Sequence, residues 1–109
     1  MASDRYNYVL TESAEADIDE AFDYIAGDLV NPDAASAFAD ELEEKPEEIC
    51  KTPKAGRPTH NPYLKRDDVR RVLVKNYIAY YLINEEKANI VVLRVVYSRR
   101  DQDRILKTI

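Results

Sequence analysis

The chain has little of what metal sites and disulfide frameworks require. It holds one cysteine and one histidine in 109 residues. Cys50 cannot close an internal disulfide, which agrees with a reducing compartment. His60 lies ten residues further on, in a different segment, so the pair gives no zinc-ligand spacing and no metal or cofactor is expected. No apolar run approaches the roughly 20 residues that cross a bilayer. The opening MASDRYNYVL lacks the apolar core of a signal peptide, so the expectation is a cytoplasmic protein without a membrane partner. Repeats and low-complexity segments are also missing. The length fits one domain, residues 1–109, with one core.

Charge is abundant but divided. The net charge is −5. Residues 1–50 carry 15 Asp and Glu against 2 Lys and Arg, and residues 51–109 carry 6 against 14. The second half is a basic module joined to an acidic one. Such asymmetry fits a basic face that tracks phosphates, and equally fits acidic solvated helix faces beside basic strand ends.

The chain is organised around Val69–Asp101, where Val72–Val74, Tyr77–Ile83 and Ile90–Tyr97 form three apolar runs rich in Val, Ile, Leu and Tyr. The polar breaks at Lys75-Asn76 and Asn84–Asn89 are too short for helices, so the runs should pair as an antiparallel meander. Upstream, RYNYVL alternates as a strand over residues 5–10, with Tyr6, Tyr8 and Leu10 on one side. Thr11 is placed to cap a first helix, with Glu12 and Glu15 at the positive end of its dipole. Ala14, Ile18, Phe22, Ile25 and Leu29 form its apolar stripe, and Gly27 marks a C-cap or fraying. Asn31-Pro32 reads as the N-cap and first residue of a second helix, with Ala35, Phe38, Leu42 and Ile49 as its stripe. Pro46 should kink that helix near Glu44–Pro46 or open a separate one. Residues 51–68 read as a long basic loop, and the tail after Arg100 as a short helix or a disordered end. The sum is an α+β order, β-α-α-β-β-β. A helix hairpin covers one face of a small, mainly antiparallel sheet, and the chemistry is expected on the other face.

Several stretches in that order resemble the RelE/ParE toxin superfamily. They are YVLTESAEADIDEAFDYIAGDLVNPDAA, then VRRVLVKNYIAYYLI around an Asn-Tyr turn, then IVVLRVVYSRRD with its basic exit. Together they cover about Tyr6 to Ile105. The resemblance implies a RelE-like fold and the toxin half of a bacterial type II toxin–antitoxin system, active in growth inhibition and plasmid stabilisation. It also implies a cognate antitoxin whose disordered segment folds on binding. RelE-like members cleave mRNA in the ribosomal A site, and ParE-like members poison DNA gyrase.

Metal-free RNA cleavage needs a base for the 2′-OH, an acid for the leaving oxygen and cations for the crowded phosphate. In RelE-like members an Arg follows the Tyr of the turn. Here that Tyr resembles Tyr77, and Ile78 follows it. Such members also carry a Tyr in the last helix or a terminal His-Tyr pair. Here no Tyr or His follows Tyr97, and Leu106 sits near the expected place. What remains for nuclease chemistry is Arg71, Arg94, Tyr97, Arg99 and Arg100. Target binding would draw on Lys51, Lys54, Arg70, Arg71, Arg99 and Arg100. The NYIAYY turn and VVYSRRD exit resemble ParE-like members, whose last strand ends in an aromatic or His followed by Arg-Arg-Asp. A gyrase-directed toxin is thus favoured over an mRNA endonuclease, and enzymatic activity is left open. An inactive toxin-fold module that only binds an antitoxin is a third reading. Each residue also has a plainer role: Arg94, inside an apolar strand, suits a structural ion pair, and Tyr77, Tyr80 and Tyr81 suit the core. Arg70 and Arg71 must point to opposite faces.

Overall fold

The computed structural model describes residues 6–109. In chain order they form β1 (Asn7–Leu10), α1 (Glu12–Asp23), α2 (Pro32–Lys51), β2 (Arg57–Pro58), β3 (Val69–Val74), β4 (Tyr77–Asn84), β5 (Asn89–Tyr97) and α3 (Gln102–Leu106). A π-helical turn, Tyr24–Asp28, extends α1, and a 3-10 turn, Pro53–Ala55, follows α2. The sheet order is β1-β5-β4-β3-β2, with β1 parallel to β5 and the other neighbours antiparallel. The expected α+β order is present, with a two-residue strand added inside the 51–68 connection and a helix formed by the tail. Of the expected first strand, Arg5 lies outside the described residues.

Local chemistry sets the helix starts. The Thr11 hydroxyl accepts from the Ala14 N–H (3.1 Å) and donates to the Leu93 carbonyl (2.9 Å), so one side chain caps α1 and ties it to β5. Asn31 accepts from the Ala34 N–H (3.1 Å), with Pro32 at the first helical position. Two expectations fail nearby. Gly27 is not the C-cap: it lies within the π turn, and the left-handed residue is Val30, at φ 47°. Leu29 leaves the apolar stripe and is 53% exposed, because the π turn carries its N–H back to the Tyr24 carbonyl five residues earlier and rotates the helical phase. The buried positions of the first helix are instead Ala14, Asp17, Ala21 and Ile25. In α2, Pro46 opens no second helix, since the helix runs unbroken from Pro32 to Lys51.

The helix hairpin covers one sheet face. Ala14, Ala21, Ile25 and Phe38 pack on Val74, Tyr77, Ala79, Val92 and Val95, while Ile49 and Cys50 pack on Tyr81 and Ile90. The second face, where the chemistry is expected, is not open. Leu64 from the long connection and Ile105 and Leu106 from α3 bury Val69, Tyr80 and Val96 there. The five-residue α3 contributes two buried side chains, Ile105 and Leu106, to this cover. Tyr63 and Asn61 fasten the connection to this end of the chain: the Lys107 ammonium sits 4.3 Å from the Tyr63 ring centre, and the Asn61 amide donates to Asp103 (2.7 Å).

Gly56 has one role that no other residue fills. Its N–H donates to the Tyr81 hydroxyl (2.9 Å), which in turn donates to the Pro53 carbonyl (2.9 Å). A Cβ at position 56 would run into that hydroxyl and ring edge and into the Arg71 carbonyl, so the strand passes only as glycine. Gly56→Ala should cost at least the roughly 1–3 kcal/mol of an overpacked core. It should read as a lower urea midpoint, and an unchanged midpoint would contradict this packing.

Burial also raises the ionisation of Tyr77, Tyr80 and Tyr81 above the ordinary phenol value of 10.0. In the folded chain these phenols stay neutral where unfolded ones ionise. Their contribution to stability is complete below pH 10 and lost as pH rises through their folded values. Phenolate absorbance from these three should therefore appear together with loss of the folded signal in an alkaline titration.

Candidate functional site

The exit of β5 is built on a file of aromatic rings. Phe22 meets Phe38 at 5.3 Å between ring centres, Phe38 meets Tyr77 at 4.8 Å, and Tyr77 meets Tyr97 edge-on at 5.5 Å. Each such pair is worth about 0.5–1.5 kcal/mol beyond area burial. The file starts inside the hairpin and ends at Tyr97, which is 37% exposed. The last strand thus delivers an aromatic ring to the surface on a rigid base.

The chain then turns sharply. The Ser98 N–H donates to the Asn76 carbonyl (2.8 Å), and the Arg100 N–H to the Tyr97 carbonyl (3.0 Å). Gln102 clasps the turn. Its amide nitrogen donates to the carbonyls of Tyr97 (3.1 Å) and Arg100 (3.0 Å), and its oxygen accepts from the Tyr80 hydroxyl (2.7 Å). Asp101 caps α3 by accepting from the Arg104 N–H (3.3 Å). Arg99 and Arg100 are left exposed on a turn whose backbone is held at both ends.

Beside the exit lies a groove of about 690 Å³ between the hairpin tip and the β3–β4 turn. Phe38, Tyr77 and Val95 form its floor, and the exposed Tyr24 and Leu29 stand along one side. Lys75 and Arg100 supply positive charge along its rim and Glu20 negative charge, while Asp17, also in the lining, is nearly buried and paired with Arg94. The groove is therefore apolar inside and of mixed sign at its edges, a form that suits a peptide segment better than a bare polyanion.

The expected site residues do not form one cluster. Tyr97, Arg99 and Arg100 stand together at the exit. Arg70 is four residues from the Val74 end of β3, about 13 Å along the strand. Its guanidinium donates to the carbonyls of Gly56 (2.7 Å) and Lys54 (3.3 Å), which fixes the connection to the sheet edge. Lys51 and Lys54 are exposed at that same end. Arg71 points to the opposite face from Arg70 and pairs in register with Tyr80. Arg94 is withdrawn into an ion pair: Nε and Nη2 donate to the two Asp17 oxygens at 2.7 and 2.9 Å, and Nη1 donates to Thr108 (2.9 Å).

Asp17 and Gln102 are the residues that sequence reading did not single out. Asp17 also accepts from the Val95 N–H (3.0 Å), at the part of the β5 edge that β1 is too short to reach. Its side chain is 8% exposed and that of Arg94 18%. Asp17→Ala would take the carboxylate from a largely buried guanidinium, leaving it its Thr108 bond, and the acceptor from the buried Val95 N–H, so it should cost about 3–5 kcal/mol. Arg66→Ala, at the Arg66–Asp68 pair with side chains 44% and 48% exposed, should cost no more than about 1 kcal/mol. Chemical denaturation of the two variants checks the contrast, and equal losses would contradict it.

The comparisons agree with this architecture. No curated protein matches the chain in sequence. Among solved structures, the chain is similar to a toxin–antitoxin complex, RelBE2 from Mycobacterium tuberculosis. That match has a TM-score of 0.58 and 18% identity, and covers 85% of this chain and 98% of the other. It is also similar to a chromosomal ParDE toxin–antitoxin system from P. aeruginosa, with a TM-score of 0.66, 21% identity, and 86% and 97% of the two chains covered. Identities this low speak to the fold. Residues 8–102 match the family described as the ParE toxin of the type II toxin–antitoxin system parDE. With nearly the whole chain matched, it belongs to the ParE family of type II toxin–antitoxin toxins.

Proposed function

We propose that the chain inhibits growth as a gyrase-directed toxin, with Tyr97, Arg99 and Arg100 as its target-contact residues. The observation that carries this reading is the composition of the exit. It offers an exposed phenol and two exposed guanidinium groups on a clamped turn, so Tyr97 is the one ordinary proton-transfer group among them and an acid–base pair is missing there. Phosphoryl transfer from a 2′-OH needs both, whereas holding a protein–DNA assembly needs shape and charge. Arg94 and Arg70 are spent on structural partners, which supports the same choice. The neighbouring groove is the natural seat for the cognate antitoxin. An apolar segment folding into it would cover Tyr97 and Arg100 together, so binding and neutralisation would be one event.

Expression of the chain alone in bacteria, with tritiated thymidine and leucine followed in parallel, tests the reading. Thymidine incorporation should fall first, with filamentation. Arg99→Ala/Arg100→Ala should abolish the effect while folding normally, since both side chains are exposed. Leucine incorporation falling first would point instead to mRNA cleavage. No effect from folded protein would point to an inactive antitoxin-binding module.

A further inference from the structure

The outer edge of the sheet sets two arginines side by side. β2 pairs antiparallel with β3 so that Arg57 stands directly opposite Arg71. Residues directly opposite share a sheet face, with Cβ atoms about 4.5–5.5 Å apart. That face is the second one, the side of Tyr80. Arg71 is in register with Tyr80, and its charge works against the rise that burial imposes on the Tyr80 phenol. Position 56, one residue before Arg57, is turned toward the Tyr81 hydroxyl on the opposite face.

Like charges directly opposite each other work against strand pairing. The other strand arginines of the sheet have internal partners: Arg94 has Asp17, and Arg70 has the carbonyls of Gly56 and Lys54. The carboxylate nearest to Arg71 in the chain, Asp68, is taken by Arg66 at 2.6 and 2.8 Å. Among the described residues, neither the Arg57 nor the Arg71 guanidinium has a hydrogen bond or an ion pair. Arg57 is exposed and Arg71 half-buried, so both can be reached from solvent.

Two planar donor forks side by side, without a counter-charge, suit an oxyanion that can accept from both. A carboxylate has two oxygens and fills one fork, whereas a phosphate has enough for two. The surroundings favour a chain of phosphates over a single one. The pair lies on an edge strand, and Lys51 and Lys54 are exposed at the same end of the sheet. An extended polyanion can meet all four cations, and a lone phosphate only two.

We propose that Arg57 and Arg71 together clamp a backbone phosphate of a nucleic-acid strand at this edge. Tyr80, beside the clamp, is three residues along β4 from Tyr77, beside the exit, a distance of about 10 Å. The clamp is thus a site apart from Tyr97, Arg99 and Arg100, and it does not rest on the gyrase reading.

The probe is a short fluorescent oligothymidylate, bound to the full-length chain and followed by anisotropy from about 20 to 200 mM salt. Arg57→Gln/Arg71→Gln should weaken binding about tenfold at low salt and reduce the slope of log K against log salt by about 0.7, one phosphate contact of a single strand. Arg57→Lys/Arg71→Lys keeps the charge without the forks and should still bind about threefold more weakly than the natural chain. The loss should be the same in a background carrying Arg99→Ala/Arg100→Ala, which separates this site from the exit. Without an anion, the Gln pair should melt no lower than the natural chain, since it removes a like-charge contact. In the unmodified chain, inorganic phosphate added at constant ionic strength should shift the Nε–Hε NMR signals of Arg57 and Arg71. Equal salt slopes for the natural chain and the Gln pair, full affinity in the Lys pair, or phosphate shifts that miss both arginines would each overturn the proposal. Phosphate shifts at the pair without any contribution to oligonucleotide binding would place a free phosphate there and overturn the nucleic-acid assignment.

Discussion

One carboxylate holds the layers of this protein in register. β1 pairs with only the first part of β5, because it ends at Leu10 opposite Val92. Beyond that point the β5 edge would expose unpaired backbone to the helices above it. Thr11 takes the Leu93 carbonyl, and Asp17 takes the Val95 N–H together with both donors of Arg94. Arg94 then reaches Thr108 in the C-terminal segment. Helix, strand edge and C-terminus thus meet at a nearly buried charge pair. Such a pair adds little over a well-packed apolar substitute, but it punishes any arrangement that leaves one partner alone. Its contribution is geometric: with it closed, α1 can cross β5 at only one height.

That height decides what reaches the surface. With α1 fixed, Phe22 and Phe38 meet over Tyr77, and Tyr97 ends the file of rings at the rim of the groove. On the other sheet face the Tyr80 hydroxyl holds Gln102, which holds the turn bearing Arg99 and Arg100. The exit is gripped from both faces of the sheet by tyrosines of one strand. Strand alternation makes this possible, since Tyr77 and Tyr80 stand three apart and point to opposite sides. A ring and two cations on a preorganised turn bind with less loss of conformational freedom than the same groups on a free loop.

The parts of the fold visible in the residues are those written locally. Thr11 and Asn31-Pro32 announce helix starts because a cap is made within three residues, and the three strands of the meander announce themselves by alternation and by breaks too short for anything else. The ion-pair reading of Arg94 came from the same source: a long cation among Val and Leu must find a partner. The identity of that partner was not legible. Asp17 stands 77 residues away and reads as one more acid on an acidic helix. Leu29 misleads because a π turn has no marker in hydrophobic spacing. The cover on the second face was missed because α3 and Leu64 contribute it from a short tail and a proline-rich loop. Gln102 was missed because a glutamine that bonds three backbone carbonyls looks like any surface glutamine. At the exit, Tyr97, Arg99 and Arg100 were readable as a group because they are neighbours in the chain. Lys51, Lys54 and Arg70 could be separated from them only by strand register.

The functional account thus narrows to one small surface: an aromatic ring and two guanidinium groups, with no acid–base pair, beside an apolar groove that an antitoxin segment can fill. Its central claim is that this surface engages gyrase. The most direct measurement incubates the purified chain with gyrase, ATP and relaxed plasmid and follows supercoiling and DNA cleavage. The account predicts accumulation of cleaved, gyrase-linked DNA that disappears with Arg99→Ala/Arg100→Ala. Unchanged supercoiling and cleavage in the presence of folded protein would contradict it.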